Sequence, residues 1–361
     1  MVEGEVRAME LVEELEAQRN MIGARVPAYG RLLSEIAALR GTDAWTRLET
    51  ALSQRPSFAT YGRPLLLLAA LRFDSLSEGP SHPLWGAISD ASPSPLGFGR
   101  DEVLAALEPS RSRMWDALRT RYVQTNETTR AVAWLWPASF IDGPLALVDL
   151  GASAGLNLIA DALPRVWQTA GGDAIPTLAD GSRIARRLGL DARPIDASRE
   201  EEALWLRSCV WPGEAARLER LDASIAAFRV AVNAPGGPVL EATPASRMPS
   251  RLADLGGEVG PGVTILAYQT IVRDYFAPAE REAYEAGMHE WLRSRPPGRA
   301  LWVELETVPD GTKELPSAIV VHAVDGRGET RSLFFGRCSF HPRIVFEDAL
   351  GTTELRALLS P

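Results

Sequence analysis

The chain has 361 residues, of which 46% are hydrophobic and 24% charged, so it is long enough for a large core and about two domains. Its net charge is −9 and no lysine and arginine cluster is present, which argues against phosphate-mediated nucleic-acid binding and favours a small-molecule substrate. The chain has two cysteines far apart, which predicts no disulfide framework. Its acidic start predicts no signal peptide, and the lack of an apolar run of about 20 residues predicts no membrane span. We therefore expect a cytoplasmic protein.

Residues 1–121 are predicted to form an all-α N-terminal domain. Apolar residues recur at helical spacing on one face, namely Tyr29, Leu32, Leu33, Ile36 and Leu39. The stretch from Ser75 to Gly99 is rich in proline, glycine and serine, which predicts a long loop.

A polar segment, residues 122–130, precedes the apolar residues 131–136 and contains Gln124, Asn126 and Glu127. Its side chains are close in sequence to a buried strand and are candidates for contacting a ligand at the end of that strand. Thr125 or Asn126 could equally cap a helix, because such side chains satisfy free backbone N–H groups. Both interpretations stay open from the sequence.

The residues from Leu145 to Asp149 are apolar except for the final acid, and Gly151, Ser153 and Gly155 follow. This pattern predicts a buried parallel strand, a tight turn and a helix. The glycines allow positive φ and close approach of a ligand, and the helix would direct its free N–H groups at that ligand.

Three interpretations compete for this turn. It resembles the first motif of S-adenosylmethionine-dependent methyltransferases, with Ser153 in place of the middle glycine. It also matches the G-x-S-x-G nucleophile elbow, in which Ser153 would attack and would need a later acid, Asp274 or Asp310, and a later histidine, His322 or His341. Asp149 opposes that chemistry because its charge would lie near a developing oxyanion. The third interpretation is an ordinary turn of an α/β protein.

The remaining pattern predicts further strands and helices of the same domain. A second strand over 187–191 would end at Asp191, whose carboxylate suits ribose hydroxyls, if residues 168–182 form an insertion. Strands are predicted over 238–243, 263–270 and 300–305, helices near 198–211, 218–228 and 278–292, and a hairpin over 318–336. Residues 122–361 are therefore predicted to form an α/β, Rossmann-like domain with a mostly parallel sheet and an antiparallel C-terminal hairpin.

Several separated segments, including residues 123–127, 149–158, 194–196, 210–212, 270–272 and 336–341, resemble a bacterial family known as domain of unknown function 2332. The resemblance implies a class I S-adenosylmethionine-dependent methyltransferase-like fold. Gln269 stands where a histidine is expected in such relatives, which removes one candidate general base.

The resemblance to methyltransferases implies S-adenosylmethionine as cofactor and an unknown small molecule as methyl acceptor, with no metal. The candidate cofactor-binding residues are Gln124, Asn126, Asp149, Gly151, Ala152, Ser153, Gly155, Asn157 and Asp191. The candidate catalytic residues are Glu127, Tyr268 and Gln269. A serine hydrolase and a binding protein without catalysis are the alternatives, and the sequence does not predict an oligomeric state.

Overall fold

The computed structural model describes residues 10–55, 62–90 and 97–359. Its helices are α1 (Leu11–Ile22), α2 (Pro27–Ala37), α3 (Asp43–Ser53), α4 (Gly62–Glu78), α5 (Trp85–Ile88), α6 (Arg100–Ala106), α7 (Ser112–Thr120), α8 (Val132–Ala138), α9 (Glu200–Ser208), α10 (Ala215–Ala231), α11 (Met248–Val259), α12 (Pro278–Arg293) and α13 (Ala349–Leu359). Its strands are β1 (Leu145–Leu150), β2 (Gln168–Thr169), β3 (Ile184–Asp191), β4 (Val239–Ala242), β5 (Thr264–Thr270), β6 (Ala300–Thr307), β7 (Ser317–Val324), β8 (Thr330–Cys338) and β9 (Ile344–Glu347).

The chain divides into two compact units. Met1–Thr125 and Arg199–Glu219 form the first, and Asn126–Ser198 and Arg220–Pro361 form the second. The first unit therefore takes in α9, which follows β3 in the sequence, and the boundary falls inside α10. The division into independent domains at residue 121 stays a prediction.

The first unit is helical throughout the part that the structure describes. The predicted core face from Tyr29 to Leu39 is confirmed, since each of its apolar members is at most 1% exposed. The loop predicted from Ser75 onward is wrong at its start, because α4 continues to Glu78, and Gly79–Ser81 and α5 add further helical turns. Arg111 binds the carboxylates of Asp74 and Glu78 and so stabilises the last turns of α4. Residues 91–96 of the predicted loop lie outside the described residues.

The second unit is built on a nine-stranded sheet in the order β2-β9-β8-β7-β6-β5-β1-β3-β4. Strands β4, β3, β1, β5 and β6 run parallel to one another. The pairs β6–β7, β7–β8 and β8–β9 are antiparallel, and the short β2 pairs parallel with β9 at the sheet edge. This mixed α/β architecture confirms the predicted fold class, including the mostly parallel sheet and the antiparallel C-terminal hairpin. Over residues 10–55, 62–90 and 97–359, no helix has the length and apolar character needed to cross a membrane.

Both faces of the parallel strands are covered, which explains why β1 reads as a continuous apolar run. Leu147 packs on one face with residues of α8 such as Trp134. Val148 packs on the other face with residues of α11 and α12, among them Leu252 and Met288. The carboxyl end of β1 lies between those of β3 and β5, so the side chains after these strands meet at one edge.

Candidate functional site

The turn after β1 has positive φ at Gly151 (82°), Ser153 (54°) and Gly155 (69°). The predicted strand and turn are confirmed, but the next element is the 3-10 helix Leu156–Ala162 and not an α-helix. Donation of the free N–H groups of this short helix to a ligand stays a prediction.

Two polar side chains fix the turn. The Asn126 amide donates to Ser153 Oγ at 2.9 Å and accepts from the Ala154 N–H at 3.3 Å. The Asp191 carboxylate accepts from the Ser153 N–H at 2.8 Å and from the Arg193 N–H at 2.7 Å. Asn126 does not act as a helix cap, since Glu127 caps the 3-10 helix Thr128–Ala131. Asn126, Ser153 and Asp191 thus lie together at the turn, and their binding of a ligand stays a prediction.

The glycines of the turn make room for protein side chains. A Cβ built on Gly155 would lie 2.7 Å from a methyl carbon of Leu240. A Cβ on Gly151 would lie 2.7 Å from a methyl carbon of Val272, which follows β5. Close packing of strand and turn therefore accounts for both residues, whereas the sequence suggested close approach of a ligand.

Asp149 and Tyr268 are paired across β1 and β5, and both side chains are buried, with 3% and 0% exposure. Burial raises the pKa of Asp149 to about 7, the Tyr268 hydroxyl opposes that rise, and the charge of Asp191 adds to it. Burial and the adjacent Asp149 hold the pKa of Tyr268 well above its usual range. The Tyr268 hydroxyl has no partner with full hydrogen-bond geometry among the described residues. The pair therefore presents a phenol that stays protonated beside a carboxyl group that exchanges a proton near neutral pH.

Gln269 points to the opposite face of the sheet and is fully buried. Its oxygen accepts from the Tyr284 hydroxyl at 2.6 Å and from the Trp302 indole at 3.1 Å, and its NH₂ group donates to Glu306 at 2.9 Å. Burial raises the pKa of Glu306 to about 7, although the Val272 N–H and the Gln269 amide oppose the shift. Gln269 is thus separated from Tyr268 by the sheet and is held in a buried hydrogen-bond network.

Glu127 is 3% exposed and lies in an ionic cluster that joins distant parts of the sequence. Arg220 of α10 donates to its carboxylate twice at 3.2 Å, and His341 Nδ1 lies 3.4 Å from Glu127 Oε2. Burial alone would raise the pKa of Glu127, but Arg220 and His341 hold it below its usual range. The carboxylate therefore stays ionised, which weakens it as a base and suits it to orient His341.

The other candidates occupy varied positions. Ala152 is buried, and Asn157 lies in the 3-10 helix after the turn, where its Oδ1 is buried without a hydrogen-bond partner among the described residues. Gln124 belongs to the first unit, where its backbone binds the Cys209 thiol. Sequence reasoning missed Arg220, which no local pattern connects with Glu127.

The histidines proposed as partners of Ser153 have other contacts. His341 faces Glu127, and His322 bonds to Glu304 and Ser332. A third histidine, His82, lies with Asp74 and Glu78 in the first unit. The Arg111 guanidinium already binds both carboxylates of this group. His82 Nδ1 accepts the Leu84 N–H at 3.1 Å, so in the neutral ring the hydrogen is on Nε2. Nε2 then offers no lone pair to a metal.

The family model described as an uncharacterized protein conserved in bacteria (DUF2332) matches residues 17–346. The chain belongs to this family. The matched range includes the turn after β1, the Glu127 cluster and most of the antiparallel hairpin region. No curated protein matches the chain.

Proposed function

We propose that this protein binds S-adenosylmethionine at the carboxyl ends of β1, β3 and β5 and transfers its methyl group to a small molecule. The observation that carries the proposal is the strand order. When the long parallel strands β1, β3, β4, β5 and β6 are numbered one to five along the chain, their order in the sheet is 3-2-1-4-5. Proteins with this order bind nucleotide-like ligands where it reverses, beside the first strand, and that is where the turn with three positive φ angles lies.

The residues at this edge fit the cofactor chemically. Asp149 offers a buried carboxyl group whose ionised form a cationic amine or sulfonium would favour. Asn157 Oδ1 is buried without a hydrogen-bond partner among the described residues, and Tyr268 Oη meets the Asp149 carboxyl group without full hydrogen-bond geometry. Such buried polar atoms are costly unless a ligand or water satisfies them. Asp191 uses one lone pair of each oxygen for backbone N–H groups, which leaves acceptor capacity for ribose hydroxyls.

When bound, S-adenosylmethionine supplies an electrophilic methyl group, so the protein has mainly to orient the acceptor and remove its proton. Among the three predicted catalytic residues, we assign Tyr268 a donor role because it stays protonated, and Gln269 the role of a buried support. We assign proton removal to His341, whose side chain is 30% exposed and whose Nδ1 faces the ionised Glu127. Glu127 then acts as a positioning residue.

Calorimetric titration with S-adenosylmethionine and S-adenosylhomocysteine tests the binding step. We expect binding by the unaltered protein and by Ser153→Ala, with loss of binding in Asp149→Ala. Circular dichroism of Asp149→Ala shows whether the variant is folded. Absence of heat with both ligands would reject the proposal, whereas loss of binding in Ser153→Ala alone would show that the Ser153 hydroxyl, and not Asp149, holds the ligand. His341→Gln should bind normally, because it is assigned to the acceptor and not to the cofactor.

A further inference from the structure

A row of polar side chains crosses the antiparallel part of the sheet. His322 of β7 is paired with Ser332 of β8 on one side and with Trp302 of β6 on the other. His322 Nδ1 lies 2.8 Å from Ser332 Oγ, and His322 Nε2 lies 2.9 Å from an oxygen of Glu304, which shares the face of Trp302. Serine, histidine and carboxylate are thus joined by two consecutive hydrogen bonds, at a site separate from the turn after β1.

The protonation states along this row follow from Glu304. Burial alone would raise its pKa, but His322 and Arg273 outweigh burial and hold the pKa below its usual range. An ionised carboxylate accepts hydrogen bonds only, so His322 Nε2 must carry a hydrogen. In the neutral ring, Nδ1 then has a lone pair, and the Ser332 hydroxyl must donate to it. This is the direction of proton transfer that activates a serine.

Solvent exposure decreases along the row from the serine to the carboxylate. Ser332 is exposed to solvent, whereas His322 is 7% exposed and Glu304 is 3% exposed. Trp302 stacks on the His322 ring with centroids 4.6 Å apart and an angle of 29°. Arg273 Nε donates to Glu304 at 3.0 Å. The ring and the carboxylate are therefore fixed in place, and only the serine is open to an incoming molecule.

We propose that Ser332 is an activated nucleophile toward acyl groups, with His322 as its base and Glu304 as the positioning residue that sets the ring tautomer. In the reaction with an ester, Ser332 Oγ bonds to the carbonyl carbon as its proton passes to His322 Nδ1. The ester C–O bond then breaks and the departing alcohol takes that proton. Water repeats the transfer, which releases the carboxylic acid and restores the serine.

A fluorophosphonate probe tests the proposal on the full chain, since Ser332 Oγ would bond to phosphorus and displace fluoride. Mass spectrometry of the peptides is expected to find the label on Ser332, and Ser332→Ala is expected to abolish it. His322→Gln should slow labelling roughly 100-fold or more. Ser182→Ala is the matched control, because Ser182 is also exposed but donates to the Asp180 carboxylate at 2.8 Å and has no imidazole partner there. Glu304→Gln should slow labelling and Glu304→Asp should restore it in part.

A second measurement remains informative if His322→Gln fails to fold. The thiol introduced by Ser332→Cys should react with iodoacetamide roughly tenfold faster than that of Ser182→Cys, because an adjacent imidazole favours the thiolate. The unaltered protein gives the background from Cys209 and Cys338. A label found only on Ser153, an unlabelled Ser332, or equal rates for the two thiols would overturn the proposal.

Discussion

Asp149 of β1 and Tyr268 of β5 are paired across the two strands between which the order of the parallel sheet reverses. Burial brings the pKa of this aspartate to about 7, with a fully buried phenol beside it. A carboxyl group in such a site is close to balance between its neutral and ionised forms at neutral pH. A cation that binds next to it would shift that balance toward the ionised form.

Asp149→Asn is expected to change how stability depends on pH. The usual pKa of aspartate is 3.8 and the folded value is about 7, so between these values the folded state keeps a proton that the unfolded state has lost. The free energy of unfolding therefore falls as pH rises through this window, by up to about 1.4 kcal/mol per pH unit, and levels off above it. An asparagine side chain does not ionise, so the variant lacks this contribution to the pH dependence.

Urea unfolding at pH 5 and pH 8 measures the effect. The difference between Asp149→Asn and the unaltered protein should move by about 2 to 3 kcal/mol in favour of the variant as pH rises. Other groups that titrate in this range, such as Glu306, are common to both proteins and cancel. The exposed Asp142→Asn serves as control. A pH-independent difference for Asp149→Asn would contradict the raised pKa.

Gln269→Leu distinguishes a buried support from a catalytic side chain. The change would leave the Tyr284 hydroxyl, the Trp302 indole and the Glu306 carboxylate without their shared partner. We expect a loss of roughly 2 to 6 kcal/mol in the free energy of unfolding, because the Tyr284 hydroxyl and the Trp302 indole each become a buried unsatisfied group at about 1 to 3 kcal/mol. Gln168→Leu, at an exposed position, should change stability little.

The same variant gives a second measurement. Where it is folded, Gln269→Leu should bind S-adenosylmethionine with the affinity of the unaltered protein, since its side chain lies on the face opposite Tyr268. A stable variant that had lost binding would show that Gln269 acts at the ligand, as its place at the carboxyl end of β5 suggests.

Much of the fold was predictable because burial on both faces of a parallel sheet leaves a local signature. Continuous apolar runs predicted β1 and β5, and two strand-like runs, residues 318–324 and 331–336 on either side of the turn at 325–328, predicted the hairpin. The hydrogen-bond partners of Gln269 and Glu127 were not predictable in this way. Gln269 finds its partners 15, 33 and 37 residues away, and Glu127 finds Arg220 93 residues away, so no periodic pattern connects them.

The 3-10 helix after the turn shows a second limit of the sequence. Positive φ was predicted correctly at Gly151 and Gly155, because glycine tolerates it, whereas the positive φ of Ser153 was not predicted. Their spacing did not reveal that Leu240 and Val272 fill the space beside the glycines. The side chains that fill the space beside these glycines come from distant parts of the sequence. Only folding brings them next to the turn.

Gly189→Ala tests the close packing of β3 beside the turn. A Cβ at this position would overlap a methyl group of Leu240 and lie 2.8 Å from the Cβ of Ala152. We expect destabilisation of about 1 to 3 kcal/mol, measured by urea unfolding. Gly257→Ala in α11 is the matched control, because nothing lies within 4 Å of its Cβ and alanine should stabilise that helix by roughly 0.5 to 1 kcal/mol.

A double-mutant cycle identifies the clash. Leu240→Ala removes the overlapping methyl groups, so Gly189→Ala should cost at least about 1 kcal/mol less in that background. Additive effects of the two changes would mean that Gly189 is needed for another reason, such as approach of a ligand to the backbone.

Ile271 has φ of 55°, a region that is unfavourable for a β-branched residue. Its N–H donates to the carbonyl of Leu305 at 2.8 Å, and the next N–H, that of Val272, donates to Glu306 at 2.9 Å. These bonds to β6 hold the strained segment in place, with Val272 against Gly151. The left-handed conformation costs a residue other than glycine about 1 to 2 kcal/mol, and this strain lies beside the proposed cofactor site.

Comparison of Ile271→Gly with Ile271→Ala measures this strain, because both variants lose nearly the same apolar contacts. Glycine adopts positive φ without penalty, so we expect Ile271→Gly to be about 1 kcal/mol more stable than Ile271→Ala in urea unfolding. The order should reverse at the exposed Ala253 of α11, where Ala253→Gly is expected to cost about 1 kcal/mol. If glycine were the less stable residue at both positions, the backbone at Ile271 would not be strained.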